Sequence, residues 1–141
     1  MDSSEGMIEA TSEKIRMSGE LHLFPILFDL EKKDYTEKKF DLIFSQMAMH
    51  HVKDIDSMME KFYMMLYPQG KLVIADLYAE DGTFHDFAFD GHFGFNPLDL
   101  AAKAIKKGFS LRSIKKCYTI VRELPEGDVK KFPIFRFIAE K

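Results

Sequence analysis

At 141 residues the chain has the length of one domain, and at that size roughly 70% of the unfolded surface can be buried without disulfides. The balance of 20 basic against 23 acidic residues, net charge -3, gives no broad basic footprint for nucleic acid, and the single cysteine, Cys117, excludes an intramolecular disulfide or a cysteine zinc cluster. No apolar run approaches the roughly 20 residues of a membrane span and the MDSSEG start is unlike a signal peptide, so the expectation is one cytoplasmic domain over residues 1–141.

In chain order, Ser3 or Ser4 caps a predicted helix that runs to about Met17. Glu5 and Glu9 lie in its first turns and Lys14 and Arg16 near its end, the charge order that a helix dipole favours. Its apolar face, Met7, Ile8 and Ile15, is thin. Residues 21–28 form a strand-length apolar run interrupted by Pro25, whose missing N–H restricts it to an edge strand or one that starts late. Asp29 and the charged residues 31–39 read as a solvated loop or short helix. Phe40, Leu42, Ile43 and Phe44 then make a short run apolar on both faces, the pattern of a strand inside a parallel sheet. Asp41 stands at its mouth, and polar Ser45 and Gln46 follow where such sheets bind ligands.

Asp54 or Asp56 caps the next helix, whose Met58, Met59, Phe62, Tyr63, Leu66 and Tyr67 keep the spacing of one buried face until Pro68 and Gly70 stop it. Residues 71–77, KLVIADL, are apolar up to Asp76, so two strands joined by a helix predict a parallel crossover unit. Between residues 78 and 97 the pattern breaks: Gly82, Gly91 and Gly94 alternate with Phe84, Phe87, Phe89, Phe93 and Phe95, as in a functional or poorly ordered segment. Asn96 caps a helix over residues 97–107 with Pro97 at its first position and Gly108 closing it. Residues 111–121 and 132–139 predict two antiparallel strands about a turn at 124–128 that contains Pro125 and Gly127.

For chemistry, His50 and His51 offer imidazoles that titrate near neutrality and can serve as a general base, or can simply end the strand and start the turn. His85, Asp86, Asp90 and His92 match no tight metal-ligand spacing, and no metal is expected. Cys117, inside a predicted strand, reads as core, and the 14 phenylalanines and 9 methionines as core filling.

The order of these motifs resembles the class I S-adenosylmethionine-dependent methyltransferases, especially the small-molecule branch that includes the ubiquinone and menaquinone methyltransferases. In MDSSEGM, Asp2 resembles the acid that ends the family's second strand and holds the cofactor ribose, and Met7 a position that packs near the adenine. In LFDL, Asp29 resembles the acid that accepts from the adenine amino group, with Leu30 supplying a backbone contact. FDLIFSQMAMHHV resembles the fourth-strand motif, in which Ser45 and Gln46 border the methionine part of the cofactor. LYPQGKLVIADLYAED resembles the run that follows, with Gln69 where glycine is usual, and HFGFNPLDLAAKAIKKGF the later helix ending in a GF pair.

The resemblance implies an α/β, partial Rossmann-like fold with a mostly parallel sheet and a C-terminal antiparallel hairpin. It also implies S-adenosyl-L-methionine as cofactor and a small-molecule or lipid-like acceptor enclosed by aromatics of the irregular segment. Methyl transfer needs alignment and, for a weak nucleophile, a base; His51, His85 and His92 are the candidates. The sequence departs from the family in lacking the first strand and the glycine-rich loop, so that either the chain is a fragment or it is truncated. In the family order 3-2-1-4-5-7-6 the missing strand leaves residues 40–44 as an exposed apolar edge, from which a homodimer through residues Phe40 to Phe44 is expected, or pairing with a relocated strand 21–28. The alternative to an enzyme is a non-catalytic remnant acting as an oligomeric or interaction module.

Overall fold

The computed structural model describes residues 1–85, 88–124 and 127–141 and divides the chain into two compact units, Met1–Tyr35 and Thr36–Lys141.

In the first unit the helix α1, Glu5–Ser18, begins where the serine pair predicts. Ser4 is extended and its Oγ accepts from Met7 N–H at 3.3 Å, while Gly19 in the left-handed region closes the helix by donating to Ile15 O. The expected strand over residues 21–28 does not form among the described residues; all that remains of it is one parallel bridge between Asp2 and Leu27. Asp2 N–H donates to Ile26 O at 3.1 Å and Phe28 N–H to Asp2 O at 2.9 Å. Pro25 has no donor to extend this pairing, and Leu21 and Phe24 are 89% and 76% exposed.

In the second unit β1, Phe40–Gln46, leads through a single 3-10 turn, Met49–His51, into α2, Ile55–Met65, and then β2, Leu66–Leu77. After a long irregular stretch come α3, Pro97–Lys106, and the hairpin strands β3, Ser110–Glu123, and β4, Val129–Glu140. The sheet order is β1-β2-β4-β3, which reproduces the 4-5-7-6 half of the expected order. The α/β fold class holds. Within these four strands the sheet is mixed: β1 and β2 are parallel, and β4 is antiparallel to both β2 and β3. The Pro125–Glu126 part of the hairpin turn lies outside the described residues, as do Asp86 and Phe87.

Two local differences from the sequence reading have clear causes. Pro68 and Gly70 do not stop α2, which ends at Met65; they lie within β2, where Gln69 has φ 66°. The β1–β2 register jumps there from Phe40↔Leu66 to Leu42↔Lys71, so the extra residues form a bulge. Cys117 is exposed rather than core: it falls where the β3–β4 register skips from Lys116 to Tyr118, on a strand with only one sheet neighbour.

The core lies where α2 and α3 pack together and against the sheet. Met58, Met59 and Phe62 of α2, Leu100, Ala101 and Ala104 of α3, and Phe135 and Phe137 of β4 are buried. At about 1.5–3 kcal/mol for each large apolar side chain, this burial is the main stabilising term. Ion pairs Lys103–Asp56 and Lys107–Glu60, the latter at 2.6 Å, join the two helices on their solvent side and add little. The irregular segment is anchored to the end of β2 by Phe95 N–H to Leu77 O and Ala79 N–H to Phe95 O, both 2.9 Å. Gly94 makes this possible: its φ is 73°, and a Cβ there would stand 2.2 Å from Tyr78 O. Gly94→Ala is therefore expected to lower stability by roughly 1–3 kcal/mol, measured by urea unfolding, whereas Gly127→Ala, with open space around it, costs less.

Candidate functional site

The parallel pairing of β1 and β2 brings their carboxyl ends together. Beyond Gln46, Met47 adopts φ 49° and donates its N–H to Ala75 O at 2.8 Å, which turns the chain across the end of β2. The 3-10 turn that follows buries Met49 and His50. His50 Nδ1 lies 2.6 Å from Asp76 Oδ1, the two side chains being 2% and 0% exposed. Asp76 also accepts from Leu77 N–H at 2.8 Å and His50 N–H at 3.3 Å. With a carboxylate as acceptor, Nδ1 is the donating nitrogen, and Nε2 is the nitrogen that Asp76 does not engage. A buried carboxylate that fixes an imidazole in one tautomer is the arrangement that prepares a general base.

Around His50 sits a cluster of rings. His51 is 4.3 Å away between centroids and His85 5.4 Å, while His51 and His85 are 5.8 Å apart. Phe89 stacks on His85 at 3.8 Å and meets His51 edge-on at 5.1 Å. The segment carrying Phe89 reaches the turn through His92 N–H, which donates to His50 O at 2.8 Å. Gly91 is required for that approach, since a Cβ would come within 2.4 Å of the same oxygen. Partial burial, followed by the neighbouring His50 and His85, pushes the His51 imidazole below its ordinary 6.5.

Of the proposed bases, His51 and His85 thus share one cluster. His92 places its ring against Phe95 at 5.2 Å and lines a separate cleft of about 320 Å³ between the starts of α2 and α3, with Lys53, Asp54, Asn96, Asp99 and Lys103. Ser45 is half-buried and Gln46 exposed at the end of β1. In the first unit, the bridge between residues 2 and 27 sets Asp2 beside the chain that leads into Asp29. Asp2 Oδ1 accepts from Ser4 N–H at 2.8 Å. Asp29 Oδ1 accepts from Glu31 N–H at 3.0 Å and Lys32 N–H at 3.3 Å, and Oδ2 pairs with Lys32 Nζ at 2.9 Å. That lysine holds the Asp29 carboxyl below its usual range. Met7 is 54% exposed on α1, and Leu30 is half-buried. Among the described residues no group of three or more His, Cys, Asp or Glu could hold a metal ion; Asp86 is outside them.

Sequence reasoning missed the His50–Asp76 pair. One signal was present: Asp76 is the lone acid in an apolar run, and a carboxylate buried there requires a partner. That the partner is His50 rather than His51 follows only from the 3-10 turn.

Comparison with known proteins agrees with this architecture. A family profile described as a methyltransferase domain matches residues 1–74. An uncharacterized methyltransferase of Schizosaccharomyces pombe is 29% identical over 92 residues, 60% of this chain and 32% of that protein. Phosphoethanolamine N-methyltransferase 1 of Triticum aestivum is 28% identical over 87 residues, 62% of this chain and 15% of the relative. The chain therefore spans about a third or less of the length of these relatives. Among solved structures, a Bacillus halodurans protein assigned to the methyltransferases superposes with TM-score 0.79 at 16% identity, over 99% of this chain and 80% of that one. The N-methyltransferase NodS of Bradyrhizobium japonicum, in complex with S-adenosyl-L-homocysteine, gives 0.68 at 15% identity, over 99% and 64%. At these identities the structural likeness shows the fold. No helix among the described residues is long and apolar enough to cross a membrane.

The lowered His51 value sets a pH dependence. Above 6.5 both folded and unfolded chains hold a neutral ring; as pH falls through 6.5 the unfolded chain takes up the proton first, so stability drops down to the folded value. Urea unfolding across this range is expected to show a shallower decline for His51→Gln than for the wild type.

Proposed function

This chain belongs to the class I S-adenosylmethionine-dependent methyltransferase family, and from that premise we propose that it takes part in methyl transfer from S-adenosyl-L-methionine to a small or lipid-like acceptor. The observation that carries the reading is the buried His50–Asp76 pair at the carboxyl ends of the parallel strands β1 and β2. In open α/β sheets that end is where ligands bind.

Each unit by itself carries residues whose chemistry suits a part of the cofactor. Asp2 uses one carboxylate oxygen on Ser4 N–H, which leaves the other for ribose hydroxyls. Asp29 is held in place by its own turn, next to Leu30, with Met7 exposed on α1. Ser45 and Gln46 end β1 beside the His50 turn and suit the methionine part. When bound, the cofactor supplies an electrophilic methyl carbon. The chain's own part is then to align the acceptor, exclude water with the aromatics of the irregular segment, and take up the proton that the acceptor releases. Asp76 orients His50, and His51 and His85 stand within the same ring cluster as proton acceptors, with the low value of His51 keeping that imidazole neutral at neutral pH. The names of the plant relatives, phosphoethanolamine N-methyltransferases, support a small polar acceptor.

Calorimetric titration of S-adenosyl-L-methionine into this chain is expected to give saturable heat, with Asp76→Asn leaving the binding intact and reducing methyl transfer. Absence of heat at millimolar cofactor sinks the catalytic reading for this chain.

A second reading, a non-catalytic oligomeric module, is favoured by one observation: among the described residues β1 pairs only with β2, and its Leu42 and Phe44 are 56% and 57% exposed. An open strand edge of this kind recruits a second strand, here the same edge of another copy. Sedimentation equilibrium is expected to return a dimer that Phe44→Lys converts to monomer; monomer alone at high wild-type concentration removes the second reading.

A further inference from the structure

Glu80 has no part in the chemistry above, and its environment is unusual. Its N–H donates to Phe93 O at 2.9 Å, which fixes the backbone inside the irregular segment. Its Oε2 accepts from Gly82 N–H at 2.9 Å and Phe84 N–H at 3.2 Å. The other oxygen, Oε1, is buried and meets no donor among the described residues. A carboxylate oxygen withdrawn from water without a donor is unfavourable, and the two backbone bonds on Oε2 hold it there rather than letting it swing out. Two cations on this segment have other partners: Lys130 is engaged by Asp81 and by Thr83 Oγ1, the latter at 2.6 Å, and Arg122 lies over the Phe84 ring at 5.1 Å.

Rings lie along the segment whose amides hold this carboxylate. A Cβ on Gly82 would lie 3.5 Å from the Phe93 ring, and Phe93 is 47% exposed, so the wall beside Gly82 borders solvent. On the other side Phe84 meets His85 at 5.1 Å, and His85 stacks on Phe89, which reaches His50 and His51. An anionic oxygen that lacks a donor, at one end of a run of aromatic faces, suits a small organic cation with N–H groups. We propose that Glu80 Oε1 receives the ammonium group of a methyl acceptor that is a primary or secondary amine; one N–H proton passes to a histidine of the adjoining ring cluster, and the freed nitrogen lone pair forms the N–C bond as the methyl's bond to the cofactor sulfur breaks. The assignment of that amine as acceptor rests on the methyl-transfer reading; its binding at Glu80 does not require the cofactor.

The Gly82 and Phe84 amides, already bonded to Glu80, are built-in reporters for ¹⁵N NMR on the full chain. Ethylammonium is expected to shift both amides saturably. Tetramethylammonium, which has the charge without the N–H, is expected to bind at least about tenfold more weakly, as is ethylammonium to Glu80→Gln, which keeps an oxygen for the two amides. No saturable shift in the wild type, equal affinity for the two cations, or unchanged affinity in a folded Glu80→Gln overturns the proposal. The comparison of the two cations on wild-type protein decides the matter even if the variant fails to fold. Cofactor binding is measured separately: amine binding without it removes only the methyl-transfer reading, and cofactor binding without amine shifts removes only the Glu80 subsite.

Discussion

Everything at the carboxyl ends of the parallel strands β1 and β2 depends on one buried carboxylate. Asp76 closes β2 with no exposed surface, and such a group is tolerated in an apolar sheet only when its oxygens are filled. Three donors fill them, and two of the three come from His50. The pair therefore does two things at once: it satisfies a charge in the core and it locks the 3-10 turn over the strand ends. With the turn fixed, His51 beside it and the chain at His92 against its carbonyl take their places.

This arrangement also explains the glycines of the irregular segment. A loop that must lie directly on a helical turn and then return to the end of a strand cannot carry side chains at its closest points. Gly91 against His50 O and Gly94 against Tyr78 O are those points. At these two points backbone bonds hold the loop down, and Phe89 beside them joins the ring cluster.

Much of this was legible in the residues. The caps Ser4, Asp54 and Asn96 lie where their chemistry places them, because capping is a local matter of one side chain and the next turn. The apolar runs of β1 and β2 and the antiparallel hairpin were legible for the same reason, as periodicity. What was not legible depends on partners distant in sequence. Cys117 is exposed because a bulge and an edge position decide its fate, not its own hydrophobicity. Residues 21–28 are apolar enough for a strand, but Asp2 offers a single residue of pairing and Pro25 cannot extend it. His50 and Asp76 lie 26 residues apart, and only the register Gln46↔Ala75 makes them neighbours. Of the candidate bases, His51 and His85 converge for this reason, whereas His92, similarly plausible as a residue type, lines another cleft.

The position of β4 bears on how the molecule forms. This strand comes after β3 in the chain yet lies between β2 and β3, paired with β3 from Val129 to Glu140 and with β2 from Ile134 to Glu140. Until it arrives, β2 has β1 on one side and nothing on the other, and β3 has no sheet neighbour at all. Because β4 is synthesised after both of its sheet neighbours, the second unit cannot build up strand by strand in chain order. Its β2, β3 and β4 must close in one late, cooperative event, and until then the apolar faces that will flank Phe135 and Phe137 stay open to aggregation or to a chaperone.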